Sequence, residues 1–250
     1  MKSESAIADE RKFYDLIREE QKILALVRDI NETGYAVLPD VVSYTDLEDV
    51  RKIVRHNITS GYPILIGSEP VAGTVLERMA TSPLLRSICT RMYQIETGSA
   101  PPDQPYFQVL RCLSGNVGRS TKHSLKFHFD SYVVTLILPI EIQHGKDNGE
   151  FIMLPNVRGI RRSYARNLMD KLWLDLPARQ AILRRRWKRH PERFVRIAFV
   201  PGNLYFLWGY RSIHTNAPCD PDKIRATALF HYGNPHSDSK LRRLIRRAEP

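Results

Sequence analysis

The stretch "HFDSYVVTLILPIEI" (His128–Ile142) sets an imidazole and a carboxylate two residues apart at the head of a long apolar run. In an extended chain, residues i and i+2 point to the same face. His128 and Asp130 therefore stand side by side, with Phe129 turned the other way, and the run behind them reads as a strand. A metal ion is one object such a pair could grip. A His-x-Asp pair alone is not specific, and a third ligand has to come from elsewhere in the chain.

Working outward, "YFQVLRCL", "GEFIMLPN", "RFVRIAFV", "LYFLWGY" and "IRATALFHYG" share the strand texture, and "HGKDNG" and "PGN" mark turns between them. Helical spacing dominates before them. Phe13, Leu16, Ile17, Ile23, Leu24 and Val27 share one side over residues 7–30, and "GYAVLPDVV" gives a short strand ended by Pro39. Ser43 and Asp46 form a capping box for a second helix, and "SPLLRSICTRMYQI" predicts a third. Helices first and then seven or eight strands predict an α+β fold, a jelly-roll-like barrel with N-terminal flanking helices. No linker divides the chain, so residues 1–250 are expected to form a single domain.

The three cysteines (Cys89, Cys112, Cys219) are widely spaced and form no CxxC pair, which argues against a disulfide framework and for a reducing compartment. "MKSESAIADERKFYDL" has no apolar signal core, and no apolar run reaches the length needed to span a bilayer. The expectation is a cytoplasmic protein that at most lies on a membrane surface.

The formal charge of +11 is concentrated in one place. Residues 158–196 hold thirteen Lys/Arg against Asp170, Asp175 and Glu192, and "SKLRRLIRR" closes the chain with a second cluster. Residues 158–190 read as a basic helical insert containing Leu168, Leu172, Trp173, Ile182, Leu183 and Trp187. Such a segment is either a solvated helical face or an interfacial one, with cations at anionic head groups and Trp at the boundary. No recognised nucleic-acid-binding motif accompanies the charge, which sets a nucleic-acid role behind both readings.

The third ligand comes from "RSIHTNAPCD", where His214 follows a predicted strand. Two imidazoles and one carboxylate on one side of a metal leave the opposite positions open, a set suited to non-haem Fe(II) and unlike a Cys- or His-rich zinc site. Arg225 lies eleven residues beyond His214 on the next strand, where its fork could pair with the carboxylate of a chelating cosubstrate. The remaining histidines (His123, His144, His190, His231 and His236) read as solvated or structural, with His231 near enough to Arg225 to line the same cavity.

The series "GYAVLPDVVSYTDLEDV", His128-x-Asp130, "DNGEFIMLPN", "PGNLYFLWGYRSIHTNAP" and Arg225 resembles the phytanoyl-CoA dioxygenase-like family of Fe(II)- and 2-oxoglutarate-dependent oxygenases, from about Asp29 to Tyr232. The resemblance implies a double-stranded β-helix, with His128, Asp130 and His214 binding iron and Arg225 the distal carboxylate of 2-oxoglutarate. It also implies that Asn216, Gln108 and Asn116 lie near the cosubstrate, and that O2 is consumed in a hydroxylation. An intact Asp130 speaks against halogenation, because halogenating relatives carry a small residue there. "LPNVRG" departs from the family's Ser-His-containing segment, and the insert is unusually basic, so the substrate does not follow. The charge favours a small or lipid-linked anionic molecule. The alternatives are an oxygenase acting on nucleic acid or protein, and a non-catalytic barrel that binds a ligand.

Overall fold

A computed structural model describes residues 20–57, 64–66, 71–104, 106–114, 124–143, 145, 148–220 and 223–248. In chain order the elements are α1 (Glu20–Thr33), β1 (Tyr35–Leu38), α2 (Tyr44–Asn57), β2 (Ile64–Ile66), α3 (Val75–Thr81), α4 (Pro83–Thr97), β3 (Phe107–Ser114), β4 (Val134–Ile142), β5 (Phe151–Leu154), α5 (Tyr164–Asp175), α6 (Pro177–Arg189), β6 (Val195–Ile197), β7 (Leu204–Leu207), β8 (Ile213–Asn216), β9 (Ile224–Tyr232) and α7 (Lys240–Ala248). The α+β expectation holds. Asn116, His123 and His144 lie outside the described residues, as does the part of the first predicted helix before Glu20.

Local chemistry sets the helix ends. The Asp46 amide donates to Ser43 Oγ at 3.2 Å, and the Ser43 hydroxyl donates back to Asp46 Oδ2 at 2.8 Å, so the predicted cap of α2 is in place. Ser82 caps α4 ahead of Pro83, whose missing N–H costs nothing at a first helical position, and Gly98 ends the helix at φ +69°.

The strands form two antiparallel sheets, one ordered β1-β7-β4-β9-β3-β2 and the other β6-β5-β8. The central strands are buried on both faces, and the alternation of side chains assigns each residue to one of them. Leu136, Leu138, Phe206 and Phe230 pack outward against Ile30, Val50, Leu76 and Met92 of the first four helices. Ile137, Tyr205 and Leu207 turn the other way and meet Phe151, Met153 and Ile197 of the small sheet. The outer face of that small sheet carries Ile152 and Ile213, covered by Leu174 of α5, with Leu183 and Trp187 of α6 against the same cluster. The layers therefore run helices, large sheet, small sheet, helices.

One expectation needs correction. "HFD" is not the start of the strand that follows it. His128 pairs with His214 of the small sheet, residues 131–133 bend, and β4 begins only at Val134 in the large sheet. The chain crosses from one sheet to the other at this point. That crossing puts the His-x-Asp pair at the junction of the two inner faces.

Candidate active site

Backbone pairing brings the two distant histidines together. The His128 amide donates to the His214 carbonyl at 3.1 Å and the His214 amide donates back at 3.0 Å, making them directly opposed partners, with ring centroids 4.4 Å apart. The Asp130 amide donates to the Gly209 carbonyl at 3.0 Å, which fixes the carboxylate beside the same pair.

Side-chain hydrogen bonds then aim the donor atoms. His128 Nδ1 lies 3.1 Å from the Lys126 carbonyl and His214 Nδ1 lies 3.1 Å from the Ser212 carbonyl. A carbonyl accepts only from an N–H, so both rings carry their proton on Nδ1 and present the Nε2 lone pair inward. His214 Nε2 sits 3.4 Å and His128 Nε2 3.9 Å from Asp130 Oδ1. The other carboxylate oxygen is occupied, because Thr135 Oγ1 donates to Asp130 Oδ2 at 2.6 Å and His231 Nδ1 lies 3.1 Å behind that hydroxyl. One oxygen is tied down and the other is left free for a ligand.

The three donor atoms lie within 4.8 Å of one another and could hold a metal ion. Two imidazoles and one carboxylate, with no thiolate, form a donor set for a first-row divalent ion that keeps positions open. Electrostatics agrees. Burial pushes the Asp130 carboxyl upward, but His214 and His231 outweigh it and hold it well below the usual carboxylate range. Packing around the His128 ring and the neighbouring His214 pull that imidazole down, toward the neutral form a metal needs. The outer edge of the ring stays open, with 41 % of the side chain exposed.

A cavity of about 90 Å³ opens beside these donors, several times the ~10–15 Å³ that one water requires. Its wall from β9 is period-two: Arg225, Thr227, Leu229 and His231. Arg225 is only 2 % exposed, and its one side-chain hydrogen bond among the described residues runs to Thr227 Oγ1 at 3.5 Å. Burial, followed by the charge of Arg111, lowers its pKa to about 9, and no carboxylate among the described residues pairs with this buried cation. Gly149, at φ +73°, leaves the room Arg225 occupies, since a Cβ there would come 2.5 Å from Arg225 Cδ. Asn216 lines the same cavity, and its Oδ1 is buried without a hydrogen-bond partner.

Of the residues predicted for the cosubstrate, the cavity thus gathers Arg225 and Asn216. Gln108 is not in its wall. It stands three residues from Arg111 on β3, an odd separation that turns it to the opposite face, where its Nε2 is buried without a partner. His231, read from the sequence as structural or cavity-lining, serves in both ways. Thr135 and Gly209 escaped the sequence reading. A Cβ on Gly209 would overlap Asp130 Oδ2 and Thr135 Oγ1, so glycine is required there by close approach and not by backbone angle. The Gly209→Ala protein is expected to bind Fe(II) or Co(II) at least about tenfold more weakly. Overpacking of this kind also costs about 1–3 kcal/mol; calorimetric titration and urea unfolding check the two effects.

The helical pair α5–α6 fastens onto the segment around His128 from outside. Gln180 accepts from the Phe127 amide at 3.0 Å and donates to the Phe127 and Leu174 carbonyls at 2.8 and 2.9 Å. Arg158 lies over the Phe129 ring at 3.7 Å while donating to Asp170 and Asn167 of α5. Both neighbours of His128 in the chain are therefore held by buried polar side chains. A second cavity, of about 330 Å³, lies between α5 and this segment and shares His128 with the first.

No family model matches the sequence, and no curated protein resembles it closely enough to be counted a relative. Solved structures do share its fold. A prolyl hydroxylase from Trichoplax adhaerens, in complex with a hypoxia-inducible factor oxygen degradation domain peptide, superposes with a TM-score of 0.53 at 11% identity, covering 89% of this chain and 93% of that one. HygX from Streptomyces hygroscopicus, with nickel, 2-oxoglutarate and hygromycin B bound, gives 0.52 at 13% identity over 84% and 86% of the two chains. The non-haem alpha-ketoglutarate-dependent epimerase SnoN from nogalamycin biosynthesis gives 0.51 at 15% identity over 86% and 84%. At these identities the similarity is one of fold.

Proposed function

We propose that the chain is an Fe(II)- and 2-oxoglutarate-dependent oxygenase, a single jelly-roll domain that hydroxylates a small or lipid-linked substrate bearing an anionic group. One observation carries the reading: a His-Asp-His donor set and a buried guanidinium with no anionic partner among the described residues line the same small cavity. The neighbours by fold include HygX, whose structures hold nickel together with 2-oxoglutarate.

His128 Nε2, Asp130 Oδ1 and His214 Nε2 would hold the iron, leaving its other positions for ligands. Bound there, Fe(II) supplies the redox chemistry by which one O2 converts 2-oxoglutarate to succinate and CO2 and a substrate C–H to C–OH. Arg225 supplies a two-pronged cation for the distal carboxylate, matched in plane as a lysine would not be. The Oδ1 of Asn216, buried without a partner among the described residues, offers an acceptor to a donor group of a bound ligand. Thr135 and His231 keep the Asp130 carboxylate from turning. Ile137, Phe151 and Leu229 give the cavity dry walls, in which these charges act at full strength.

The larger cavity supports an anionic substrate. Lys126 and Lys171 stand in its wall near His128, with Phe129 and Leu174 as apolar surface. Lys171 Nζ donates to Ser131 Oγ at 2.7 Å, which tethers the ammonium between α5 and the metal-ligand segment.

The test is succinate release by the purified chain with Fe(II), ascorbate and 2-oxoglutarate, alone and with phosphorylated or carboxylated candidates. Release no faster than without Fe(II), for every candidate, would favour a non-catalytic binding protein. A hydrogen bond to a charged group is worth about 1.5–3 kcal/mol. Lys171→Ala is accordingly expected to raise KM for an anionic substrate tenfold or more while leaving KM for 2-oxoglutarate unchanged; equal effects on both would remove Lys171 from the substrate site.

A further inference from the structure

Sequence spacing left the basic helices open to two readings, and their packing separates the inner face from the outer one. On α6 the inner positions are Gln180, Leu183, Arg184 and Trp187, at i, i+3, i+4 and i+7. On α5 the inner side carries Asn167, Lys171 and Leu174. What remains outside on α5 is an apolar stripe: Met169, Leu172, Trp173 and the cap residue Leu176 are 69, 59, 50 and 50 % exposed, again at i, i+3, i+4 and i+7. The outer face of α6 places Ile182, 54 % exposed, among exposed Arg185, Arg186 and Arg189. Arg179 lies 3.9 Å over the Trp173 ring and joins the two faces. Beside α5 packs α7, with exposed Leu241 and Leu244 next to Lys240 and Arg243.

Large apolar side chains exposed in a row mark a contact surface, and a row rimmed by cations selects the partner. We propose that the outer faces of α5 and α6 dock on an anionic lipid bilayer, with Met169, Leu172, Trp173, Leu176 and Ile182 entering the interface and Arg185, Arg186 and Arg189 meeting phosphate head groups. Charge decides among the occupants. A second copy of the chain would set the same cations against each other, since thirteen Lys/Arg face three Asp/Glu over residues 158–196. A nucleic acid would take the cations and leave five large apolar side chains without a use. An anionic bilayer takes both, because apolar side chains seat at the acyl boundary and cations at the head groups. No helix among the described residues is long and apolar enough to cross a membrane, so the contact is peripheral. The docking stands independently of the oxygenase reading. It would bring a lipid-linked molecule to the face of α5 opposite the one that lines the larger cavity.

The experiment is co-sedimentation of the full chain with phosphatidylcholine vesicles, with vesicles containing phosphatidylglycerol, and with a double-stranded oligonucleotide, across a salt series. Binding to the phosphatidylglycerol vesicles alone, weakening as salt rises, is the expected result. Leu172→Gln combined with Trp173→Gln should lower the partition about tenfold or more. Arg185→Gln combined with Arg186→Gln should lower it about thirtyfold at low salt. Both pairs are on the surface, and an unchanged unfolding midpoint shows that the fold is intact. Equal binding to neutral vesicles, no vesicle binding, or tighter binding to the oligonucleotide would each overturn the proposal. So would a stable dimer that the Leu172/Trp173 variant breaks, which would mark the face as an interface between copies.

Discussion

The Asp130→Ala protein is expected to release succinate from 2-oxoglutarate no faster than the metal-free wild type, and to bind Fe(II) more than about a hundredfold more weakly. Loss of an outer-shell partner alone costs about 10–100-fold in a metal site, and here the anionic ligand itself goes. The change also strands its supports: Thr135 Oγ1, which donates to the carboxylate at 2.6 Å, and His231 behind it lose what they hold. Fe(II) or Co(II) titration and succinate release measure the two effects. Wild-type turnover in this variant would show that the donor set does not hold the reactive metal.

Arg225→Met should act on the cosubstrate and spare the metal. Truncating one partner of a buried hydrogen-bonded charge pair costs about 2–5 kcal/mol, so KM for 2-oxoglutarate should rise roughly thirtyfold or more while Fe(II) affinity holds. Stability should move the other way. The pKa of Arg225 is lowered to about 9 by burial and by Arg111, so the folded protein holds its charged form at a cost at every pH below that value. Removing the charge relieves the cost, and the variant without ligand should melt no lower than wild type. Added 2-oxoglutarate should raise the melting temperature of the iron-loaded wild type and not of the variant. An unchanged KM would take Arg225 out of the site.

The His128–Asp130 pair and the β9 wall of the cavity were legible because their signals are local and of even spacing. His128 and Asp130 stand two apart, and Arg225 and His231 stand six apart on one strand, so parity alone puts each pair on one face. Thr135 was hidden by the same rule. It lies five residues from Asp130, an odd separation that an unbroken strand would send to the opposite face; the bend at residues 131–133 reverses that. Gln108 lies outside the cavity wall because its odd distance from Arg111 turns it to the other face of β3. Gly209 has no sequence signal at all, because what demands it is the approach of side chains from another strand. In the basic helices, composition listed Leu172, Trp173, Leu183 and Trp187 together. Only packing divides them into an exposed pair and a covered pair.

The grip of Gln180 on Phe127 has a practical side for anyone engineering the chain. Excising the two cationic helices, an obvious way to make a better-behaved variant, would leave the Phe127 amide and carbonyl without their partner one peptide away from His128. It would also take Asp170 and Asn167 from the guanidinium stacked on Phe129. A shortened version should therefore bind Fe(II) or Co(II) more weakly even though neither helix contributes a donor atom, and surface charge is better trimmed one outward-facing arginine at a time.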